Sequence, residues 1–464
     1  MTEAVGLDLG TTGIKVGLLD RGGRLGTIIR APAPPVTGDG ALRESDPLDY
    51  LERTRELLGR ALEGLPGTTP VGIASQRSTF VLWEKSTGRP VTPLISWQDR
   101  RAAAWCESRR ESAPTVTAKT GLPLSPHYAG PKLAQILAEN RALRDGVDKG
   151  ITLFGTLESW VIWNLSSGKE HVTDISMAAR TLLVDSAARS WSSRLLEFFS
   201  VPSACLPAII RAGERHISLA GGGTVTATIA DQPAALLAVS GAGDANALIN
   251  LGTGGFILFP SKVRPGALPG YLTGPVGGRD RDLVALEGTI NGIGPALAGA
   301  GESLPFPEED PAADLFCLPE TSGLGSPFWK PDIPQSFSRD RETLTVEDHG
   351  RAIREGIIFR IRQIVEDVEA VLGKRRLFLA GGITGDRHLT AALAACLWRT
   401  LHRLTEKEST LLGATLMARG LPGGDADSEA ISPDPARGGY LHTKYRRWRQ
   451  WAASMTMPPA DHPR

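Results

Sequence analysis

The sequence predicts an α/β protein built from two similar domains. Three observations predict it. At 464 residues the chain is too long for one ordinary core. Short apolar runs bounded by turn residues alternate with segments of helical period. One local pattern also occurs twice. Residues 4–20, AVGLDLGTTGIKVGLLD, read as two buried strands joined by a tight Gly/Thr turn, and residues 246–259, NALINLGTGGFILF, repeat that layout. Asn250 stands where Asp8 stood, Gly252 where Gly10 stood, and Thr253 where Thr11 stood. Two such units far apart imply an internal duplication.

Glycines let these turns approach a bound group closely, and their free N–H donors make a cradle for anions. Asp8 and Lys15 flank the first turn with opposite charges, which suits a metal–phosphate pair. An ordinary hairpin accounts for either copy alone. Two copies can each offer a phosphate-facing turn to one nucleotide lying between the domains. The pairing resembles the actin-like (ribonuclease H-like) superfamily, which includes sugar kinases and heat-shock ATPases. The expected fold is two actin-like domains around a central nucleotide and substrate cleft, over residues 1–241 and 242–464.

Composition narrows the partners. Acidic and basic residues balance at 51 each, so nothing points to nucleic acid. No apolar stretch approaches the roughly 20 residues of a spanning helix, and the N-terminus has no signal-peptide pattern. Cys106, Cys205, Cys317 and Cys396 are scattered and read as reduced thiols, so a cytoplasmic protein is expected.

After the first hairpin, residues 21–47 read as hairpin and proline-rich loop. Residues 48–63 carry apolar positions at helical spacing, and Ser45-Asp46-Pro47 can start that helix. Residues 71–74 and 80–83 read as strands, with Arg77 and Ser78 in the polar link between them. Such a link, at the carboxyl end of a buried strand, is where open α/β sheets place ligands. Residues 94–101 read as a strand ending in a polar cluster, 101–112 as a helix, 120–130 as loop, and 131–139 and 154–165 as helices. Residues 171–185 read as loop and strand, 191–199 as helix, and 225–229 as strand. At Asp231-Gln232-Pro233 the carboxylate is either a plain helix cap or a mounted general base.

In the second half, residues 283–286 read as a strand, with a helix from 293 and a long helix over 346–372. The strand 377–380 runs into Gly381-Gly382, which either seats a base or ribose or forms a common α/β turn. Helices follow through Cys396 and over 411–418, then a loose tail to about 440. The run YRRWRQW (445–451) mixes basic and aromatic residues; a short amphipathic helix explains it better than nucleic acid.

Taken together and in order, LDLGTTGIKVGLLD (7–20), SQRSTFVLWEKSTGRPVTPLISWQDRRAA (75–103), FGTLESWVIWNLSSGKEHVTD (154–174), ADQPAAL (230–236), NLGTGGF (250–256), ALEGTI (285–290), SGLGSPFW (322–329), LAGGITGD (379–386) and TLLGATLMA (410–418) resemble the FGGY carbohydrate kinases. Within that family they are most similar to glycerol kinases. The resemblance implies transfer of the γ-phosphoryl group of ATP, with Mg²⁺, to a hydroxyl of a sugar or polyol. It implies Asp231 as general base and Asp8 as metal-holding carboxylate. Thr11, Thr12 and Lys15 would contact the phosphates from one side, and Gly252 and Thr253 from the other. Gly294, Gly382, Ile383 and Asp386 would complete the ATP site. Arg77, Ser78, Trp97, His127, Tyr128, Asp231 and Gln232 would line the substrate pocket. Family members are often dimers or tetramers, so a homodimer is allowed, although no interface is legible.

Two departures bear on the substrate. Glycerol kinases carry a Glu where this chain has Ser78, and a Tyr where His127 most nearly stands. A lost carboxylate that grips hydroxyls costs such a substrate about 1–3 kcal/mol per group. A longer polyol or a ketose is therefore expected, with glycerol as the alternative. A sugar-sensing regulatory protein is disfavoured by Asp231 beside two intact turns. A chaperone or filament ATPase is disfavoured by the SWQDRR and ADQ motifs.

Overall fold

The computed structural model describes residues 2–241, 243–262, 268–279, 283–424, 426–436 and 438–456. Ala242, at the expected domain boundary, lies outside them. Two mixed sheets carry the architecture, and they repeat one topology. In the first, Leu25–Pro32, Gly13–Leu19 and Ala4–Leu9 pair antiparallel, and Pro70–Ser75 and Thr224–Ala230 continue in parallel. In the second, Val284–Ile290, Gly255–Ser261 and Asn246–Leu251 pair antiparallel, and Arg376–Ala380 and Leu401–Leu404 continue in parallel. Ile217–Ser218 extends the first sheet; Leu272–Pro275 and Ser428–Ile431 flank the second.

The central strands are apolar because both faces are covered. Pro47–Leu62 covers the first sheet and starts where Asp46 accepts from Leu48 N and Asp49 N. Val346–Leu372 covers the second, burying Ile353, Ile357, Ile358, Ile361, Ile364 and Val365 along one stripe. Two helices cross between the sheets, Asp231–Ser240 and Ser409–Arg419. They meet backbone to backbone: a Cβ on Gly413 would lie 1.8 Å from Ala234 O. Ser409–Arg419 comes late in the chain yet packs on the first sheet, where a Cβ on Gly72 would lie 2.1 Å from Ala414 O.

The hairpin expected at 21–47 is present, its second strand being Leu25–Pro32 on the sheet edge. Several expected elements are corrected. The helix expected over 154–165 is a strand, Thr152–Thr156, then a helix, Leu157–Leu165. The helix over 101–112 breaks into Ala103–Glu107 and a 3₁₀ turn at Arg110–Ser112. The strand before it is only Leu94–Ile95. Residues 171–185 also hold a short helix, Ile175–Ala179, held by Asp174. The tail contributes the edge strand Ser428–Ile431. YRRWRQW lies in the helix Leu441–Thr456, whose Tyr445 and Trp448 are buried against Phe359. Trp83 and Trp160 are fully buried, in line with a packing role, and all four cysteines are buried free thiols. No helix among the described residues is long and apolar enough to cross a membrane.

Candidate active site

Both glycine turns are strand-to-strand links at the carboxyl ends of central strands. In the first, Asp8 and Lys15 are direct cross-strand partners. Gly10 N donates to Gly13 O at 3.1 Å, and a Cβ on Gly10 would meet that oxygen at 2.8 Å. Thr12 stands exposed at the tip. The Thr11 hydroxyl donates to Gln76 Oε1 and accepts from Trp97 Nε1, both at 2.9 Å. It thereby ties the turn to the expected substrate wall. Lys15 Nζ lies 2.6 Å from Glu408 Oε2, and Arg30 holds the other oxygen of Glu408 at 2.9 Å. Burial pushes the Asp8 carboxyl up to about 7; Lys15 opposes this, while Asp231 and Glu408 add to it.

The second turn has the same shape and different chemistry. Asn250 Nδ2 donates to Gln232 Oε1 at 3.0 Å. Gly252 N donates to Gly254 O at 2.9 Å, and Gly294 N donates to Thr253 O at 3.0 Å. Gly381 passes directly over this hairpin at φ +91°; a Cβ there would lie 2.2 Å from Leu251 O. That glycine places Gly382, exposed, and Ile383, half-buried, beside the second turn. Asp386 follows and caps the helix Arg387–Leu397 by accepting from Leu389 N at 3.0 Å.

Asp231 is the first residue of its helix, not the cap; Ala230 holds the cap position. The plain-cap reading of this carboxylate is thereby removed. Oδ1 accepts from Gln232 N at 2.8 Å and lies 3.4 Å from Arg77 Nε. The side chain is 28% exposed, so one edge is open to a ligand. Burial raises its pKa and Arg77 opposes the rise.

Arg77 is itself anchored across the molecule. Its two terminal nitrogens donate to Glu287 at 2.7 and 3.1 Å, a bidentate pair. Arg180 Nη2 donates to the same carboxylate at 2.5 Å. Burial works to raise the Glu287 carboxyl, but Arg180 and Arg77 overcome it and hold the group at about 2. Trp97 packs on His127 with ring centres 5.5 Å apart, and His127 meets Tyr128 edge-on at 5.1 Å. Burial and the cations Lys132, Arg77 and Arg180 push His127 down to about 3, so its imidazole is neutral at ordinary pH. Ser78 is fully buried at φ 65°, and its hydroxyl donates to Arg180 O at 3.1 Å.

Asp231, Gln232, Arg77, Trp97, His127 and Tyr128 thus form one connected wall beside the first turn. Gly294, Gly382, Ile383 and Asp386 gather around the second. Sequence reasoning missed Glu287, Arg180 and Glu408. A lone acid inside the apolar strand Val284–Ile290 was the signal for Glu287. Among the described residues no group of three or more His, Cys, Asp or Glu is placed to hold a metal by itself.

The family model for the N-terminal domain of the FGGY family of carbohydrate kinases matches residues 4–248, and that for the C-terminal domain matches 247–419. A glycerol kinase of Acidiphilium cryptum is 31% identical over 448 residues, covering 90% of each chain. One of Myxococcus xanthus is 32% identical, covering 98% of this chain and 95% of that one. Among solved structures, glycerol kinase of Plasmodium falciparum with ADP superposes with a TM-score of 0.82 at 21% identity, over 98% of this chain and 99% of that one. Xylulose kinase from Lactobacillus acidophilus gives 0.83 at 20% identity, over 97% and 98%. These superpositions, with the duplicated sheets, give the actin-like ATPase fold.

Proposed function

The chain belongs to the FGGY family of carbohydrate kinases, ATP-dependent phosphotransferases acting on a sugar or polyol, and from that premise we propose how its own residues divide the work. Asp231 is the general base. The observation that carries this is its position: Gln232, its neighbour, bonds Asn250 of the second turn, Arg77 Nε lies 3.4 Å from Asp231, and Asp231 is close enough to Asp8 of the first turn to raise its carboxyl. A substrate hydroxyl within hydrogen-bond reach of its open edge loses its proton to Asp231 as the oxygen attacks the γ-phosphorus. The oxygen–phosphorus bond to ADP breaks as the new one forms.

The two turns cradle the polyphosphate with backbone N–H groups, and Lys15 supplies a cation once it turns from Glu408. Gly294, Gly382, Ile383 and Asp386 hold the adenosine end. Asp8 suits Mg²⁺: it is a buried carboxylate whose charge is under-compensated, and Mg²⁺ is held by one or two carboxylates plus phosphates and water. When bound, that ion neutralises charge building on the phosphates. Trp97 offers an apolar face to the C–H surface of the substrate, and neutral His127 offers one donor and one acceptor.

The substrate is a longer polyol or a ketose. The support is the missing carboxylate at Ser78, whose hydroxyl is already engaged by Arg180 O. Glycerol is the second reading, favoured by the curated relatives. The test is ADP release with Mg-ATP against glycerol, erythritol, ribitol, xylitol, D-xylulose, D-ribulose, L-ribulose, sedoheptulose and gluconate. Turnover on one compound that Asp231→Ala lowers about 10²–10⁴-fold supports both base and class. Best turnover on glycerol removes the argument from Ser78.

A further inference from the structure

We propose that Arg354 is a positioning residue for the adenosine end of the nucleotide, an inference that rests on the kinase reading above. Arg354 lies on the long helix Val346–Leu372 with its side chain only 7% exposed. Its terminal nitrogens are engaged: Nη1 donates to Ala300 O at 3.0 Å and Gly350 O at 3.1 Å, and Nη2 to Gly301 O at 2.7 Å. Ala300 and Gly301 belong to the segment leaving the short helix Ile293–Ala298. These bonds cap carbonyls of the segment beyond that helix and tie it to the long helix.

Capping does not account for the remaining nitrogen. Nε is buried without a hydrogen-bond partner and lies 3.8 Å from Asp386 Oδ2. An N–H buried and unpaired costs free energy that a purely structural cap has no reason to incur. Asp386 closes the turn that carries Gly382 and Ile383, its N donating to Ile383 O at 3.0 Å. One guanidinium therefore joins two walls distant in sequence. The first wall is the helix whose Gly294 reaches the second phosphate turn through Thr253. The second is the 382–386 turn. Beside Arg354, between the 300–306 segment and the start of the long helix, lies a cavity of ≈ 260 Å³ lined by Leu304, Phe306, Val346 and Arg351. The two walls flank the adenosine end, so their spacing sets how well ATP is held there.

The test compares Arg354→Ala, Arg354→Lys, Asp386→Ala and the double variant. The readouts are the KM for ATP, the KM for the accepting sugar and the Kd for ADP by calorimetry. Arg354→Ala is expected to raise the KM for ATP and the Kd for ADP about tenfold. The sugar KM stays within about twofold and Arg354→Lys recovers part of the loss. The double variant falls short of the product of the single effects, because both act on one contact. Unchanged ATP and ADP values, an equal rise in both KM values, or additive effects would overturn the assignment. If Arg354→Ala does not fold, Arg354→Lys and Arg354→Gln carry the same comparison. Failure of the kinase reading shows separately, as no turnover by the wild-type chain on any acceptor, and ADP calorimetry still decides Arg354.

Discussion

The two glycine turns share a backbone and differ in charge. In the first hairpin Asp8 faces Lys15 across the strands; in the second Asn250 faces Phe256. The first turn has Glu408 and Arg30 around its lysine, whereas the second is bordered by backbone, Gly294 on one side and Gly381 on the other. Duplication kept the cradle, which depends on glycine and register. It did not keep the ionic partners, which depend on what each turn must hold. On the division of work proposed above, the first turn serves a metal and the transferring phosphoryl group, which need charge nearby, and the second serves the rest of the nucleotide, which needs close approach.

Making the first turn chemically like the second is the strongest way to break that contrast. Asp8→Asn should lower kcat about 10²–10³-fold with ADP affinity in the absence of Mg²⁺ nearly unchanged, measured by turnover and calorimetry. An equal loss of metal-free ADP binding would mean that Asp8 acts on the cradle itself. The same variant has a stability signature. A carboxyl raised to about 7 stabilises the folded state most below its unfolded value, near 3.8, and that contribution is lost as pH rises toward 7. Asp8→Asn should therefore flatten the fall in Tm across that window.

Next in size is the ion pair reaching between the halves. Glu287→Gln removes a buried partner of two arginines and should cost about 3–5 kcal/mol of stability in denaturant melts. In protein that still folds, the acceptor KM should rise about tenfold while the ATP KM moves little, because Arg77 loses its anchor and not its charge. The sign with pH is opposite to that of Asp8. A carboxyl held at about 2 stabilises fully above 4.5, and the contribution is lost as pH falls from there toward 2. Acid melts of wild type and Glu287→Gln should therefore converge.

The smallest effect sharpens the account of Lys15. Glu408→Gln weakens the salt bridge that holds Lys15, so the KM for ATP should shift by about threefold or less. A loss as large as that of Asp8→Asn would show that Glu408 does more than hold the lysine.

Both hairpins were legible because turn glycines and apolar strands are local signals. Asp231, Arg77 and Trp97 were reachable because each sits in a short motif. Glu287 was not. It meets Arg77 across 210 positions and Arg180 across 107, and no local pattern encodes such a meeting. The strand Leu25–Pro32 was legible only as part of a hairpin, without its bounds, because it lies half-exposed on an edge without clean alternation. Thr152–Thr156 escaped because only Gly155 and Thr156 separate its apolar residues from those of the helix. Gly155 marked the strand: a Cβ there would lie 2.6 Å from the Trp83 ring.

The crossing helices bear on how this protein was assembled. Ser409–Arg419 is the last helix matched by the C-terminal family model, yet Gly6 and Gly72 of the first sheet are shaped to receive it. A chain cut after Gly241 would leave those glycines facing solvent where a helix backbone belongs. The duplication visible in the sheets therefore no longer yields two separable modules. Each half is finished by the other, and a gene split at its midpoint should give fragments that fold only when mixed.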